Sequence, residues 1–186
     1  MKCYLIRHGK DDDSVRGGWS RTSLTAEGVA QAERLAAKLS SADYESIRMI
    51  YTSDLVRARQ TADILSAVLR IPVCEMPAFR EVNNGELAGM SNTVATESYP
   101  GLYWNTLEWD QPYPCGESPH EFFNRIHDAW HSFKEEIQKL DYDVIHVTHG
   151  GVIQVIQCIE SNIPFSNKEK LPSIGYAEIL TVDISS

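Results

Sequence analysis

No two cysteines in this chain are closely spaced, no apolar run approaches the length of a membrane span, and no basic stretch stands out. Each shortage excludes something. Cys3, Cys74, Cys115 and Cys158 form no CxxC pair, and two of them lie in strand-like segments and one in a helix-like segment. Buried free thiols are therefore expected, rather than disulfides or zinc ligands. A spanning helix needs about 20 consecutive apolar residues, and nothing at the start has the basic, apolar, cleavable order of a signal peptide. A cytoplasmic location is the expectation. The 17 Lys and Arg against 26 Asp and Glu leave a net charge of −9, so neither nucleic acid nor an anionic membrane is an expected partner. A GxxxxGK[ST] loop is also missing, which removes a P-loop nucleotide enzyme.

What remains is an ordinary globular composition, 42% apolar and 23% charged over 186 residues, enough for one domain (1–186) with a real core. Strand-like runs occur at Cys3–Ile6, Ile47–Thr52, Val73–Met76, Val144–Thr148 and Ala177–Val182. Helical periodicity separates them. Val29, Ala32, Ala36 and Leu39 mark a helix starting near Thr25, and Leu55, Ala58, Ala62, Leu65 and Leu69 mark one ending before Ile71-Pro72. Phe122, Ile126, Ala129, Phe133, Ile137 and Leu140 follow Ser118-Pro119-His120-Glu121, which reads as a capping box with proline at the first helical position. Val152, Val155, Ile156 and Ile159 complete the set. Alternating strands and helices predict an α/β three-layer sandwich, a mostly parallel sheet with helices on both faces. The last strand follows too short a loop for a crossover helix and is expected to be antiparallel. The Trp-, Tyr- and Pro-rich stretch near 82–116 reads as a cap insertion over the sheet's active edge.

Ligands of open α/β sheets bind outside the carboxyl ends of the strands. Arg7-His8-Gly9 follows the first strand, Ser53 to Ala58 the second, Arg80-Glu81 the third, and Thr148-His149-Gly150-Gly151 the fourth. Four ionisable side chains, His8, Arg57, Glu81 and His149, therefore converge on one edge. Arginine offers planar, bidentate donors to phosphate oxygens, and helix starts near Ser53 and Gly150 add backbone N–H groups. These are the parts of an anion site with a nucleophile and a proton donor.

These blocks, with Leu24-Thr25-Ala26-Glu27-Gly28, Gln31-Ala32, Thr61-Ala62, Gly85, Gly89 and Gly116-Glu117-Ser118, form an ordered set along nearly the whole chain. The set resembles the histidine phosphatase superfamily, the phosphoglycerate-mutase-like proteins. The resemblance implies that His8 is a nucleophile forming a phosphohistidine and that Arg7, Arg57 and His149 hold the phosphoryl oxygens. It also implies that Glu81 protonates the leaving alkoxide and then accepts a proton from water. No metal or other cofactor is called for, because the arginines and histidines are expected to supply the positive charge. The expected activity is a metal-independent phosphomonoesterase acting on a small phosphorylated metabolite, its only implied partner; oligomeric state is left open.

Two departures stand out. Where the family carries an asparagine six residues after the nucleophile, this chain has Ser14, and the Lys10–Ser23 segment is short and begins with Asp11-Asp12-Asp13. Those aspartates disfavour polyanionic substrates unless they face solvent or bind a cationic part of the substrate. Ser14, Arg16, Trp19, Arg21 and Gly150 are the candidate substrate contacts. His127 and His131 are read as a solvated helix face, His120 as surface and His146 as a satisfied core histidine. Two other functions compete. A phosphoglycerate mutase is disfavoured by the short chain, and a phospho-ligand binding protein without turnover by retention of both histidines, both arginines and the acid.

Overall fold

Four consecutive buried residues, Cys3 to Ile6, make the first strand a central one covered on both faces. The computed structural model describes residues 1–184. Its sheet comprises β1 (Lys2–Arg7), β2 (Ile47–Thr52), β3 (Val73–Glu75), β4 (Asp143–Thr148) and β5 (Ile179–Asp183) in the order β3-β2-β4-β1-β5. The pairs β1–β4, β2–β4 and β2–β3 are parallel, and β5 runs antiparallel to β1. The expected mostly parallel sheet with one antiparallel strand is observed, with small shifts of strand ends at β3 and β5.

Alternation along β1 divides the core. Cys3 and Leu5 join Phe122, Ile126, Trp130 and Phe133 of α4 (Pro119–Ile137) and Val152, Val155 and Ile156 of α5 (Gly150–Glu160). Tyr4 and Ile6 face the other way, onto Leu35, Ala36 and Leu39 of α1 (Ala26–Leu39) and Ala58, Ala62 and Leu65 of α2 (Val56–Leu69). Period-two side chains on a two-faced sheet require two helix layers, and both are present.

The helix boundaries have local causes. Thr25 Oγ1 accepts from Gly28 N at 3.1 Å to start α1, and Ser118 with Glu121 forms the capping box ahead of Pro119. Arg70, in the left-handed region at φ 57°, stops α2 before Ile71-Pro72. On α4 the buried stripe runs through Trp130, not Ala129, and Leu140 lies beyond the helix end. Trp130 buries its ring while its Nε1–H donates to Glu160 at 2.7 Å, so it fills the core without losing a hydrogen bond.

Residues 82–116 depart from the sheet pattern as expected. They hold α3 (Asn92–Ser98) and a separate cluster of buried Leu87, Leu107 and Tyr113, packed against Val82, Leu102 and Trp104. Two expectations need correction. Cys3 and Cys158 are buried free thiols, whereas Cys74 on the edge strand β3 and Cys115 in the cap are exposed. Among the described residues, no helix is long and apolar enough to cross a membrane.

His146 is the second correction. It is fully buried among Phe79, Phe133 and Tyr51, with ring centroids 4.2, 5.0 and 6.5 Å away, yet neither of its nitrogens has a hydrogen-bond partner. Burial without a partner depresses its pKa to about 3 from the usual 6.5. Between those values the unfolded chain binds a proton that the folded chain refuses, so stability falls as pH falls. His146→Leu should remove about 1.4 kcal/mol per pH unit of that acid sensitivity. Denaturant unfolding at pH 7 and pH 5 would measure it, and equal losses in variant and parent would show that His146 does not titrate in this way.

Candidate active site

Parallel strands β1 and β4 end side by side, with Arg7 in register with Thr148 and His8 N donating to Thr148 O at 2.9 Å. That pairing brings His8 and His149 together, their rings 5.1 Å apart, both buried. His8 leaves β1 through Gly9, whose N–H is taken by Thr61 Oγ1 at 3.1 Å. A side chain on Gly9 has no room, because a Cβ would lie 2.4 Å from Gly28 O, and one on Gly28 would lie 2.1 Å from Lys10 O. The turn that presents His8 depends on this backbone-to-backbone approach to α1.

The hydrogen bonds decide which ring nitrogen is free. His8 Nδ1 lies 2.7 Å from Gly9 O, which can only accept, so Nδ1 carries the proton. Nε2 is left with its lone pair and accepts from Arg57 Nε at 3.1 Å. Burial, with Arg57 and Arg7 nearby, holds the His8 pKa well below its usual value, so the imidazole is neutral at neutral pH.

Arg57 is almost wholly buried at the first turn of α2. A cation there opposes the helix dipole, and its hydrogen bonds account for its position. Besides His8 it reaches Gly18 O at 2.8 Å through Nη2 and Ser20 Oγ at 3.3 Å through Nη1. Asp11 Oδ2 lies 3.4 Å from its Nε. Arg7 is held differently. Nη1 donates to Ile174 O at 3.1 Å, the Tyr176 ring lies 3.9 Å from the guanidinium carbon, and a Cβ on Gly150 would lie 3.4 Å from Nε.

His149 Nε2 is 2.9 Å from Ser53 Oγ, while its buried Nδ1 has no partner. Leu55 N already donates to Ser53 Oγ at 3.3 Å. If the hydroxyl proton goes to Nε2, Nδ1–H is a donor free for an anion. Burial, together with Arg57, His8, Arg125 and Arg7, keeps this histidine's pKa well below the usual range. The positive charge of the cluster therefore comes from Arg7 and Arg57, and the histidines contribute as neutral groups, contrary to expectation.

Glu81 reaches the same place from the third strand's exit. Its carboxylate accepts from Gly151 N at 3.1 Å and Val82 N at 3.1 Å. Its backbone carbonyl is gripped by Trp19 Nε1 at 2.7 Å and Arg125 Nη2 at 3.1 Å. Arg125 also donates to Ala78 O and Arg80 O and forms a two-point pair with Glu117, whose Oε2 accepts from Asn83 N at 2.8 Å. Charge-assisted, two-point contacts of this kind fix a backbone segment as well as a side chain.

A sequence profile described as histidine phosphatase superfamily (branch 1) matches residues 3–186. The chain belongs to that superfamily. A metal-independent phosphoserine phosphatase of Arabidopsis thaliana is 31% identical over 160 residues, covering 82% of this chain and 65% of its own. A 2,3-bisphosphoglycerate-dependent phosphoglycerate mutase of Bradyrhizobium diazoefficiens is 32% identical over 123 residues, 61% of this chain and 58% of its own. Among solved structures, a mycobacterial glucosyl-3-phosphoglycerate phosphatase superposes with a TM-score of 0.79 at 25% identity, covering 97% of this chain and 88% of its own. The expectation of a phosphatase is borne out at the level of the family.

This superfamily member brings Arg7, His8, Arg57, His149 and Gly150 into one cluster, with Glu81 beside it. The suggested contacts fare differently. Trp19 serves Glu81's carbonyl, and Arg16 lies over the Tyr103 ring at 4.6 Å. Ser14 is exposed, its N–H bonded to Asp12 Oδ1 and its carbonyl to Asn92 N, and Arg21 is also exposed. Ser20, Asp11, Ser53, Thr61, Tyr176 and Arg125 were missed. Ser53 and Thr61 sat inside quoted motifs, but only folding shows which partners they meet. The rings of His127 and His131 are tilted with centroids 4.2 Å apart, and among the described residues no group of three or more ligands suits a metal ion. Near the surface, His120 stacks on Trp109 with centroids 5.4 Å apart.

Gly9→Ala and Gly28→Ala should each lower the melting temperature by several degrees, since backbone must move to admit the methyl group. Gly9→Ala should also weaken binding of inorganic phosphate, because His8 moves with its turn. Calorimetry and phosphate titration would test both, and a parent-like melt for Gly9→Ala would show that the turn yields freely.

Proposed function

We propose that the chain is a metal-independent phosphomonoesterase that works through a phosphohistidine on His8. The observation that carries the reading is the His8 tautomer: Nδ1–H is committed to Gly9 O at 2.7 Å, so the Nε2 lone pair is the one turned toward Arg57 and the anion cluster. Arg57 and Arg7 draw the phosphoryl oxygens in and stabilise charge on them as the P–O bond breaks, with His149 Nδ1–H as a neutral donor. Metal independence rests on this supply of charge, and the name of the Arabidopsis relative supports it.

In the first half, His8 Nε2 forms the N–P bond while the ester oxygen leaves with a proton from Glu81. In the second, Glu81 takes a proton from water, the water oxygen attacks phosphorus, and the electron pair of the N–P bond returns to Nε2. A small phosphorylated metabolite is the substrate class. Hydrolysis is preferred to mutase action because the short Lys10–Ser23 segment leaves little chain to exclude water or grip a carboxylate. The mutase relative also covers less of this chain than the phosphatase relative does. Cytoplasmic residence is part of the same reading.

His8→Ala should abolish turnover with the fold intact. The unsubstituted protein, quenched during reaction with labelled substrate, should carry acid-labile, base-stable phosphate on His8. Turnover at the parent rate by His8→Ala would sink the nucleophile assignment.

Glu81→Gln separates the acid from the binding groups. A general acid matters most when the leaving alkoxide is strongly basic. In single turnovers, hydrolysis of an alkyl phosphate should slow by about two orders of magnitude or more, and release of p-nitrophenol only mildly. Equal small losses for both esters would remove Glu81 from the role.

A further inference from the structure

A cavity of about 260 Å³ adjoins the Glu81 carboxylate. Its other walls include Val82, Trp104 of the cap, Phe122 of α4, Gln154 of α5 and Phe165 from the chain that follows α5. Phe122 is buried and meets Trp104 edge to face at 5.6 Å, and Phe165 stacks on Phe123 at 5.6 Å. Glu81 is the one ionisable group among the lining residues.

The walls are tied to one another. Buried Asn167 donates through its side-chain amide to Trp104 O at 2.8 Å and Leu107 O at 2.9 Å, which fastens the cap to the chain around Phe165. Lys168 and Glu108 add an exposed ion pair at 2.7 Å alongside. A preformed cavity with aromatic and aliphatic walls offers water few hydrogen-bond partners, and an apolar group placed there loses little.

We propose that this cavity is the leaving-group subsite and that it accepts an uncharged, largely apolar alkyl or aryl group. The inference rests on the assignment of Glu81 as proton donor. An ester oxygen protonated by Glu81 must approach that carboxylate, so the carbon skeleton bonded to it passes alongside the cavity. An anionic substituent would meet a carboxylate and apolar walls, with no cation in the lining to receive it. The subsite therefore favours apolar monoesters over phosphorylated acids.

Three primary alkyl phosphates test this: methyl phosphate, n-hexyl phosphate and the hexyl ester bearing a terminal carboxylate. Their leaving alkoxides have similar basicity, so the demand on Glu81 is nearly constant. The hexyl ester should exceed the methyl ester at least tenfold in kcat/KM, well within what burying five methylenes allows. The terminal carboxylate should erase most of that gain. Gln154→Trp, which fills the cavity from α5, and Phe165→Ala, which opens a wall, should each lower the hexyl-to-methyl ratio. A ratio near one in the parent, or a ratio unchanged in both variants, would overturn the subsite while leaving His8-dependent hydrolysis standing. Failure to hydrolyse any of the three would overturn the phosphatase reading and the subsite with it.

Discussion

Burying one guanidinium organises the catalytic edge of this molecule. Arg57 is nearly inaccessible, and a buried cation is tolerated only where its N–H groups are met and its charge is opposed. Here Gly18 O, Ser20 Oγ and His8 Nε2 accept its hydrogens, with the Asp11 carboxylate beside it. Those partners come from β1 and from the loop leading to α1, so meeting the needs of Arg57 also folds residues 9–20 against the end of β1. Asp11 is the one aspartate of its run turned inward, which answers what three successive acids do beside an anion site. One offsets the buried cation, while Asp12 and Asp13 are exposed.

The histidines follow from the same confinement. Burial beside two arginines keeps His8 and His149 neutral. For His8, neutrality leaves Nε2 with the lone pair that the proposed attack on phosphorus needs. For His149 it means that the ring carries no charge of its own, and the full positive charges stay on the arginines. His146 has the same burial without the company of charges, and its ring is simply walled by aromatics. Burial alone thus depresses a histidine without making it functional, and the neighbours distinguish the three.

Much of this was legible before any coordinates. The strand order of ionisable residues at four strand exits placed His8, Arg57, Glu81 and His149, because period and topology constrain which chain segments share an edge. The helix starts at Thr25 and Ser118 were legible because capping is local chemistry. Trp130 was left out of the α4 stripe because the pattern was drawn through Ala129, one residue away. Ser14 and Arg21 lie exposed, because position after His8 does not determine which way a short loop turns. Ser20, six residues further on, reaches Arg57 instead. Tyr176 could not have been found at all. It sits in irregular chain between α5 and β5, and only the return of that chain to β1, with Ala177 N donating to Arg7 O at 2.9 Å, brings its ring over Arg7.

Glu81 draws these levels together. It follows a three-residue edge strand and would be poorly positioned by the sheet alone. Trp19 holds its carbonyl from the loop after β1, Arg125 holds the same carbonyl from α4, and Gly151 N holds its carboxylate from the start of α5. Three elements distant in sequence therefore set one side chain, and Glu117 braces Arg125 while taking Asn83 N at the root of the cap. The cap is consequently anchored to Glu81. A change in the cap that pulls on Asn83 would be felt at Glu81 through Glu117 and Arg125, and the cluster around Arg57 shares two of Glu81's supports, since Trp19 lies between Gly18 and Ser20 and Gly151 follows Gly150. The His8 cluster and Glu81 thus share the 18–20 loop and the start of α5, so their positions are set together.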